Sequence, residues 1–429
     1  AMRHAIKKWA ALAALLAAAF YLLLSGAEVA TQRSFIMTAI VLIGIMVDRA
    51  ALTMRNIALA ALGVMLLAPE AVVHPSFQMS FAATLALIAG YERGLPWIIA
   101  GADTSLGARV ALWGGREIVA LIFASLLAGL ATTPYAAFHF HRAAPYGVIA
   151  NLLAMPVVSV WVMPAGLTAL IAMPFGFDAP LWRLMGEGIE WMIWVALFVA
   201  RLPGAVGRVT AFGAGPLLLC TAGLVVLCLL RSPLRWSGAI AVIAAAFWAA
   251  RTTPPDVLVA DRGDVVAVRS ATGRLVVMRA STNDGFSVRE WLGADADART
   301  AADPSLREGI ACDEIGCVAR LADGTMVAVP FAAVAFEEDC RRAALVVSQR
   351  TAPPSCAAVK IDRTVWPRTG ASALYRAGKG WETEVAYPAG YDRPWARAVP
   401  MRESETPSST AIPAPRDATP RVEDLAPED

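Results

Sequence analysis

The sequence predicts a polytopic α-helical membrane protein of about nine transmembrane helices, followed by a C-terminal mixed α/β soluble domain. Two observations carry that prediction. Residues 1–251 hold one apolar run after another, whereas residues 252–429 are charged and rich in turns, so the mean hydropathy of +0.56 averages two unlike halves. The charge divides at the same place: 16 basic and 9 acidic residues precede residue 252, and 21 basic and 26 acidic follow it. The expected domains are 1–251 in the membrane, 252–399 outside it, and 400–429 as a disordered acidic tail, too rich in Pro, Ser, Thr and carboxylates to bury a core.

Apolar spans run at about Lys8 to Leu24, Ser34 to Val47, Ile57 to Leu67, Phe77 to Gly90, Arg109 to Ala131 and Gly147 to Met173, then Leu181 to Ala200, Phe212 to Leu230 and Trp236 to Ala250. Several sit near the lower length limit for a core of ~30 Å, and Pro156 with Pro164 could split the sixth into two re-entrant pieces. Arg3, Lys7 and Lys8 before the first span resemble a secretory signal, but another apolar span begins within ten residues of its end, so the run is read as a membrane helix. Basic residues are retained on the cytoplasmic side. With the N-terminus inside, the inner side holds Arg3, Lys7, Lys8, Arg49, Arg55, Arg93, Arg109, Arg116, Arg183, Arg231 and Arg235, against Arg33, Arg142, Arg201, Arg208 and Arg251 outside. An odd number of spans then places the soluble half outside the cytoplasm, which in a bacterium with two membranes is the periplasm.

That half reads as strands at Val257 to Ala260, Val265 to Val268, Leu275 to Arg279 and Leu345 to Ser348, a hairpin of Cys317 to Leu321 with Met326 to Val329 around Asp323-Gly324, and a helix over Phe286 to Leu292. Cys312, Cys317, Cys340 and Cys356 suit two disulfides in an oxidising compartment, with the pairing open; four thiolates on zinc would require tighter spacing. Residues 341–397 interleave Arg and Lys with Trp366, Tyr375, Trp381, Tyr387, Tyr391 and Trp395. That pattern suits a surface on which single-stranded bases stack, or a solvated face over ordinary core aromatics, and composition favours the second.

Polar groups inside the apolar half are the candidates for function. Thr132-Thr133-Pro134-Tyr135, His139-Phe140-His141-Arg142 and Asn151 form a string broken by Pro156 and Pro164, and Gln78, Ser80 and Thr84 enter the fourth span at its outer end. Prolines here are tolerated as packing kinks or mark broken helices that open carbonyls to a pathway, and Asn151 favours the second. His139 and His141 lack a third ligand nearby and lie among Tyr135, Phe138, Phe140 and Tyr146, an interfacial aromatic belt; no metal is expected there. With Arg142 they suit an entry rim for phosphate, which Arg grips by two hydrogen bonds. Glu187 and Glu190, on one face beside Trp191 and Trp194, should face a partner or a wet cavity, unless their helix lies shallow in the interface.

Three stretches together form a recognisable set: Arg33-Ser34-Phe35-Ile36-Met37, residues 74–87 from His74-Pro-Ser-Phe-Gln-Met-Ser, and Thr133-Pro-Tyr through Asn151-Leu-Leu-Ala-Met-Pro156. With Pro174-Phe-Gly176 and Leu202-Pro203-Gly204, they make residues 30–205 resemble the ComEC family of competence proteins, which are thought to pass single-stranded DNA across the bacterial inner membrane during transformation. The resemblance implies a multi-pass inner-membrane channel component. Its partners would be single-stranded DNA, a periplasmic DNA receptor, a cytoplasmic translocation ATPase, the lipid bilayer and a second copy in a homodimer. The path would be lined by Arg33, Gln78, Ser80, Thr84, Thr133, His141, Arg142, Asn151, Glu187 and Glu190.

Two departures from the family follow. Nothing here corresponds to its N-terminal OB-like domain, so the chain looks like the later part of a longer protein. Many relatives also end in a metallo-β-lactamase-like domain with an H-x-H-x-D-H zinc motif, yet His4, His74, His139 and His141 are the only histidines. A lactamase-like soluble half would therefore be a degenerate copy without metal, cofactor or catalysis. The rival readings are a secondary transporter of a small anion, proton-coupled through Glu187 and Glu190, and an envelope nuclease with an unrecognised site. The absence of an internal repeat disfavours the first, and the absence of a histidine or tight carboxylate cluster the second.

Overall fold

The computed structural model describes residues 6–26, 29–48, 53–94, 106–279, 285–378 and 380–388. The expected tail at 400–429, Tyr391, Trp395 and the side chain of Arg33 lie outside the described residues. The chain divides into two compact units, Ala1–Thr252 and Thr253–Asp429.

The first unit is helical: α1 (Ile6–Leu24), α2 (Val29–Met46), α3 (Met54–Leu67), α4 (Pro75–Gly94), α5 (Leu106–Phe140), α6 (Gly147–Val157), α7 (Met163–Ala172), α8 (Ala179–Ala200), α9 (Ala214–Leu229) and α10 (Arg235–Ala249). A helix lies over each expected span. Three stretches, Ile6–Leu24, Gly115–Phe140 and Gly147–Phe175, are long and apolar enough to cross a membrane; Ser34–Met46, Met54–Leu67, Ala214–Leu229 and Arg235–Ala249 are apolar but shorter. α8 has the length, but Arg183, Glu187 and Glu190 interrupt its apolar character.

Burial in this unit is inverted relative to a water-soluble protein. Its interior is small-residue: Ala60, Ala82, Ala86, Ala89, Ala131, Ala165, Ala169 and Ala245 are buried, while Leu23, Leu66 and Val160 are about three-quarters exposed, at 76%, 75% and 78%. Small residues let helix backbones approach closely where lipid removes the hydrophobic drive for association. The closest backbone approach is α9 against α10, where a Cβ on Gly238 would run into the Gly223 carbonyl oxygen and one on Gly223 would stand 2.7 Å from that of Gly238. A Cβ on Gly188 of α8 would likewise meet Val162 at 2.7 Å.

Pro156 and Pro164 do not split the sixth span. The chain stays helical from Gly147 to Phe175, with a π-helical turn at Val158–Val162 between α6 and α7. Proline removes a donor and crowds the preceding turn, and a widened turn accommodates both: the Met163 N–H reaches back five residues to the Val158 carbonyl. Pro134 is similarly held inside α5, whose helix continues through the polar string to Phe140. The Thr132 and Thr133 hydroxyls bond the Ala128 and Gly129 carbonyls one turn back, at 2.9 and 2.7 Å.

The second unit is a two-sheet sandwich. One sheet is antiparallel in the order β12-β11-β3-β4-β5, from β3 (Val257–Val259), β4 (Val265–Arg269), β5 (Leu275–Arg279), β11 (Ser372–Ala377) and β12 (Gly380–Val385). The other runs β10-β9-β8-β7-β6, from β6 (Ile310–Cys312), β7 (Gly316–Arg320), β8 (Met326–Pro330), β9 (Leu345–Val347) and β10 (Val359–Ile361), with β8, β9 and β10 parallel. The β7–β8 hairpin turns on Asp323-Gly324 as expected, with Gly324 at φ 83 and Asp323 Oδ1 accepting the Thr325 N–H.

Val257, Val259, Val266, Val268, Leu374 and Met278 of the first sheet pack on Val327, Val329, Leu345, Val347 and Ile361 of the second. Helix α11 (Gly285–Ala294) covers the outer face of the first sheet through Val288 and Leu292. Helix α12 (Phe336–Arg342) covers that of the second through Phe336 and Cys340. Cys312 pairs with Cys317 and Cys340 with Cys356. The first bridge joins directly opposed residues of β6 and β7, and the second fastens α12 to the loop before β10.

Trp366 and Trp381 prove to be core-associated, Trp381 at 9% exposure with Arg376 stacked over it at 5.0 Å. Tyr375 donates to Glu384 across the β11–β12 pair at 3.3 Å. Trp366 and Trp381 are thus ordinary core aromatics, while Tyr387 beyond β12 is exposed.

Candidate functional site

Sorted by their contacts, the polar groups of the helical unit fall into two sets. Lys8 on α1 bridges to Asp48 after α2 at 2.5 Å, and Arg231 after α9 reaches Glu92 on α4 at 3.3 Å. Arg93 on α4 donates to the carbonyls of Leu227, Cys228 and Leu230, at 2.9, 2.5 and 3.0 Å, so it caps the C-terminus of α9. Those carbonyls have no intrahelical partner and carry the negative end of the helix dipole, so a guanidinium both satisfies and neutralises them. Each contact joins segments expected at the inner ends of spans.

The other set gathers segments expected at outer ends. α4 starts at Pro75, where the missing N–H costs nothing, and His74 Nδ1 accepts the Ser76 N–H at 3.3 Å. One turn on, the Gln78 amide Nε2 donates to the Val72 carbonyl at 2.9 Å, which leaves Oε1 facing His139 Nε2 at 2.8 Å. An amide oxygen can only accept, so His139 carries its proton on Nε2 in this pair. Gln78 and His139 lie 61 residues apart in the chain and join the start of α4 to the last turn of α5.

Beyond α5 the chain turns at His141, in the left-handed region at φ 55, and enters the two-residue strand β1 (Arg142–Ala143). β1 pairs antiparallel with β2 (Gly207–Arg208) in the register Arg142 to Arg208 and Ala143 to Gly207. The Val209 N–H donates to the His141 carbonyl at 3.1 Å, and the Tyr146 hydroxyl donates to the Pro203 carbonyl at 2.9 Å. Gly207 eases the close approach of the two segments: a Cβ there would sit tightly, at 3.3 Å, against both the Ala143 Cβ and its carbonyl oxygen.

Beneath this end, α4, α5 and α9 share a core of Ala82, Ala86, Ala89, Ala131, Tyr135, Leu217 and Cys228. The Thr221 hydroxyl donates to its own helix at Leu217, so the Tyr135 hydroxyl is the donor in its 3.0 Å contact with Thr221. Tyr135 is thus an interhelical tie at 4% exposure, whereas the sequence placed it in an aromatic belt.

Among the expected path residues, Gln78, His141 and Arg142 come to this one end. Ser80 meets Met37 Sδ at 3.9 Å, and Thr84 bonds back to the Ser80 carbonyl at 2.8 Å. Thr133 and Asn151 are exposed and are not drawn into the set; Glu187 and Glu190 are exposed on α8 beside the Trp191, Trp194 and Phe198 rings. No group of three or more His, Cys, Asp or Glu among the described residues could hold a metal ion.

The residues that sequence reasoning passed over are Arg208, seen only as one more outer cation, and Thr221. Pairings across a two-residue ribbon or between distant helices leave no periodic trace.

No curated protein and no solved structure matches the chain. A family model described as "Competence protein" matches residues 1–234. A match over more than half the chain, covering both sets of polar contacts just described, decides the family: the chain belongs to the competence protein family.

Proposed function

We propose that this protein is an inner-membrane channel component that imports single-stranded DNA during natural transformation. Its family points to DNA uptake, and its exposed apolar helices are those of a membrane protein. The observation that carries the finer reading is the gathering of Gln78, His139, His141, Arg142 and Arg208 from three distant segments at one end of the helical unit. A polyanion entering there meets cations first and uncharged hydrogen-bonding groups below them. Gln78, Ser80, Thr84, Thr133 and Asn151 offer those without the desolvation cost of buried charge.

In this reading the helices cross about nine times with the N-terminus inside, as the sorting of Lys8, Glu92, Arg93 and Arg231 from His139 and Arg142 supports. The soluble unit then lies in the periplasm. Its two disulfides support that placement, because such bridges persist in oxidising compartments. Its paired sheets, each backed by a helix, support a degenerate lactamase-like domain that docks DNA or a receptor and performs no hydrolysis. A translocation ATPase on the cytoplasmic side and a second copy of the chain complete the proposed partners.

The test is uptake of labelled DNA by cells carrying Arg142→Glu or Asn151→Ala at normal protein levels. Blocked cytoplasmic arrival is expected, and wild-type arrival in both variants would sink the proposed lining.

A further inference from the structure

Helix α8 packs on α6, the π-helical turn and α7 through one face, where Gly188, Val195 and Val199 are buried. The Trp161 indole N–H donates to the Leu184 carbonyl at 2.7 Å and fixes the helix on that turn. On the opposite face Arg183, Glu187, Glu190, Trp194 and Arg201 recur at steps of three, four or seven residues, with Trp191 and Phe198 alongside, and all seven are exposed. Glu187 and Glu190 stand near the middle of the 22-residue helix, and among the described residues neither carboxylate has a hydrogen-bond or ion-pair partner. An ionisable group at that depth is costly unless it turns to water or to a partner, so this face meets something other than acyl chains.

What the face presents is a row of rings. Trp191 and Trp194 have centroids 5.2 Å apart with planes at 32°, and Trp194 and Phe198 have centroids 5.5 Å apart with planes at 10°. Rings at such separations are offset, so each keeps part of its face uncovered: Trp191 is 42%, Trp194 54% and Phe198 45% exposed. The Trp191 indole N–H reaches the Leu153 carbonyl of α6 at 3.4 Å, which ties the row to the neighbouring helix. The result is a staircase of flat π faces on a fixed support. Single strands stack on such faces whatever their sequence, because every base has one. The row also begins beside the candidate entry end, since α8 runs into the Pro203 loop that Tyr146 ties, and from there into β2.

We propose that Trp191, Trp194 and Phe198 form a base-stacking track for the incoming single DNA strand. The proposal rests on the DNA-import reading for the identity of its ligand and adds a path element on α8. Glu187 and Glu190 orient the strand: they repel phosphates and accept hydrogen bonds from base amino groups, so the bases lie toward α8 and the backbone away from it. Arg201 and Arg183, at the two ends of the same stripe, hold phosphates before and after the rings.

The experiment uses the full chain in phosphatidylcholine nanodiscs with two fluorescent probes of equal length, an oligothymidylate and its abasic counterpart, read by anisotropy. The wild type should bind the abasic strand at least about tenfold more weakly, the scale of one base–aromatic stack. Trp194→Leu and Phe198→Leu should each weaken the oligothymidylate about tenfold and leave the abasic affinity unchanged, because ring and base are lost as one contact. The slope of log affinity against log salt should not change, since no phosphate contact is removed. Leu keeps an apolar side chain at an exposed position, so the thermal midpoints should hold.

Wild-type affinity for oligothymidylate in both variants would overturn the track, as would losses of equal size on the abasic strand, or a wild type that binds neither probe. Variants that bind both probes normally but turn a dimer into a monomer by mass photometry would overturn it too and assign the face to a second copy of the chain. DNA import is judged separately, by cytoplasmic arrival of labelled DNA in cells with and without the wild-type chain. Variants that lose base-dependent binding in vitro yet import DNA normally would uphold the track as a strand site and count against the import reading.

Discussion

Replacing Cys340 and Cys356 together by Ser tests both the stability of the soluble unit and the compartment in which it sits. The bridge closes a loop with a sequence separation of 16 and holds α12, whose Cys340 is 7% exposed against Phe336, Ala343 and Val346, to the segment before β10. In the chain-entropy account a loop of that length restricts the unfolded chain by about 3 kcal/mol, and the Cys312–Cys317 loop by about 2 kcal/mol. At roughly 2–4 °C per kcal/mol for a unit of this size, the Cys340→Ser, Cys356→Ser protein should lose about 6–12 °C in the midpoint of its soluble unit. The assay is thermal unfolding of the full chain in detergent, followed by tryptophan fluorescence, alongside maleimide labelling of whole cells before and after reduction. The bridged form should label only after reduction. An unchanged midpoint would refute the loop-closure argument, and free Cys340 and Cys356 thiols in untreated cells would refute the periplasmic placement.

Three further outcomes are expected. Arg93→Ala strips the cap from the last carbonyls of α9 and should cost about 2–3 kcal/mol, seen as a lower detergent melting point, with Arg93→Lys recovering only part. Gly238→Val drives a side chain into the Gly223 carbonyl and the Leu227 backbone, so α9 and α10 should separate; the cost is about 1–3 kcal/mol or more, read from melting point and membrane abundance. Burial, with Glu338 and Asp313 nearby, pushes the Asp339 carboxyl up to about 6. Its folded value then exceeds the unfolded one, the folded state binds the extra proton, and stability falls as pH rises from about 4 through 6. Asp339→Asn should flatten that part of the pH profile and raise the midpoint at neutral pH.

The parts of this protein visible in its sequence are those governed by local pattern. Long apolar runs announce α1 to α10, and alternation with an Asp-Gly turn announces the β7–β8 hairpin. β6 and β10 escape because they lack the continuous buried apolar run that marks the equally short β3 and β9: Ile310–Cys312 is largely exposed and Val359–Ile361 is broken by Lys360. β11 and β12 escape because Arg376 follows Leu374 on the same face of β11, while Glu382 and Glu384 alternate with the buried Trp381 in β12, so charge disguises both strands.

The prolines of the sixth span mislead for a different reason. Sequence gives their local cost but not the π-helical turn that absorbs it. At the candidate site, each polar residue was legible by its oddity in an apolar run, and Gln78 and Arg142 were found that way. Their partners were not, since His139 lies 61 residues from Gln78, and the pairing of Arg142 with Arg208 depends on two loops meeting in space.

The central claim is that DNA enters the cytoplasm through this protein. The most direct measurement supplies fluorescent double-stranded DNA to a strain lacking the protein and separates label in the periplasm from label in the cytoplasm. Import through this chain predicts periplasmic accumulation without cytoplasmic arrival, restored by the wild-type chain; cytoplasmic arrival at wild-type levels in its absence would contradict the claim.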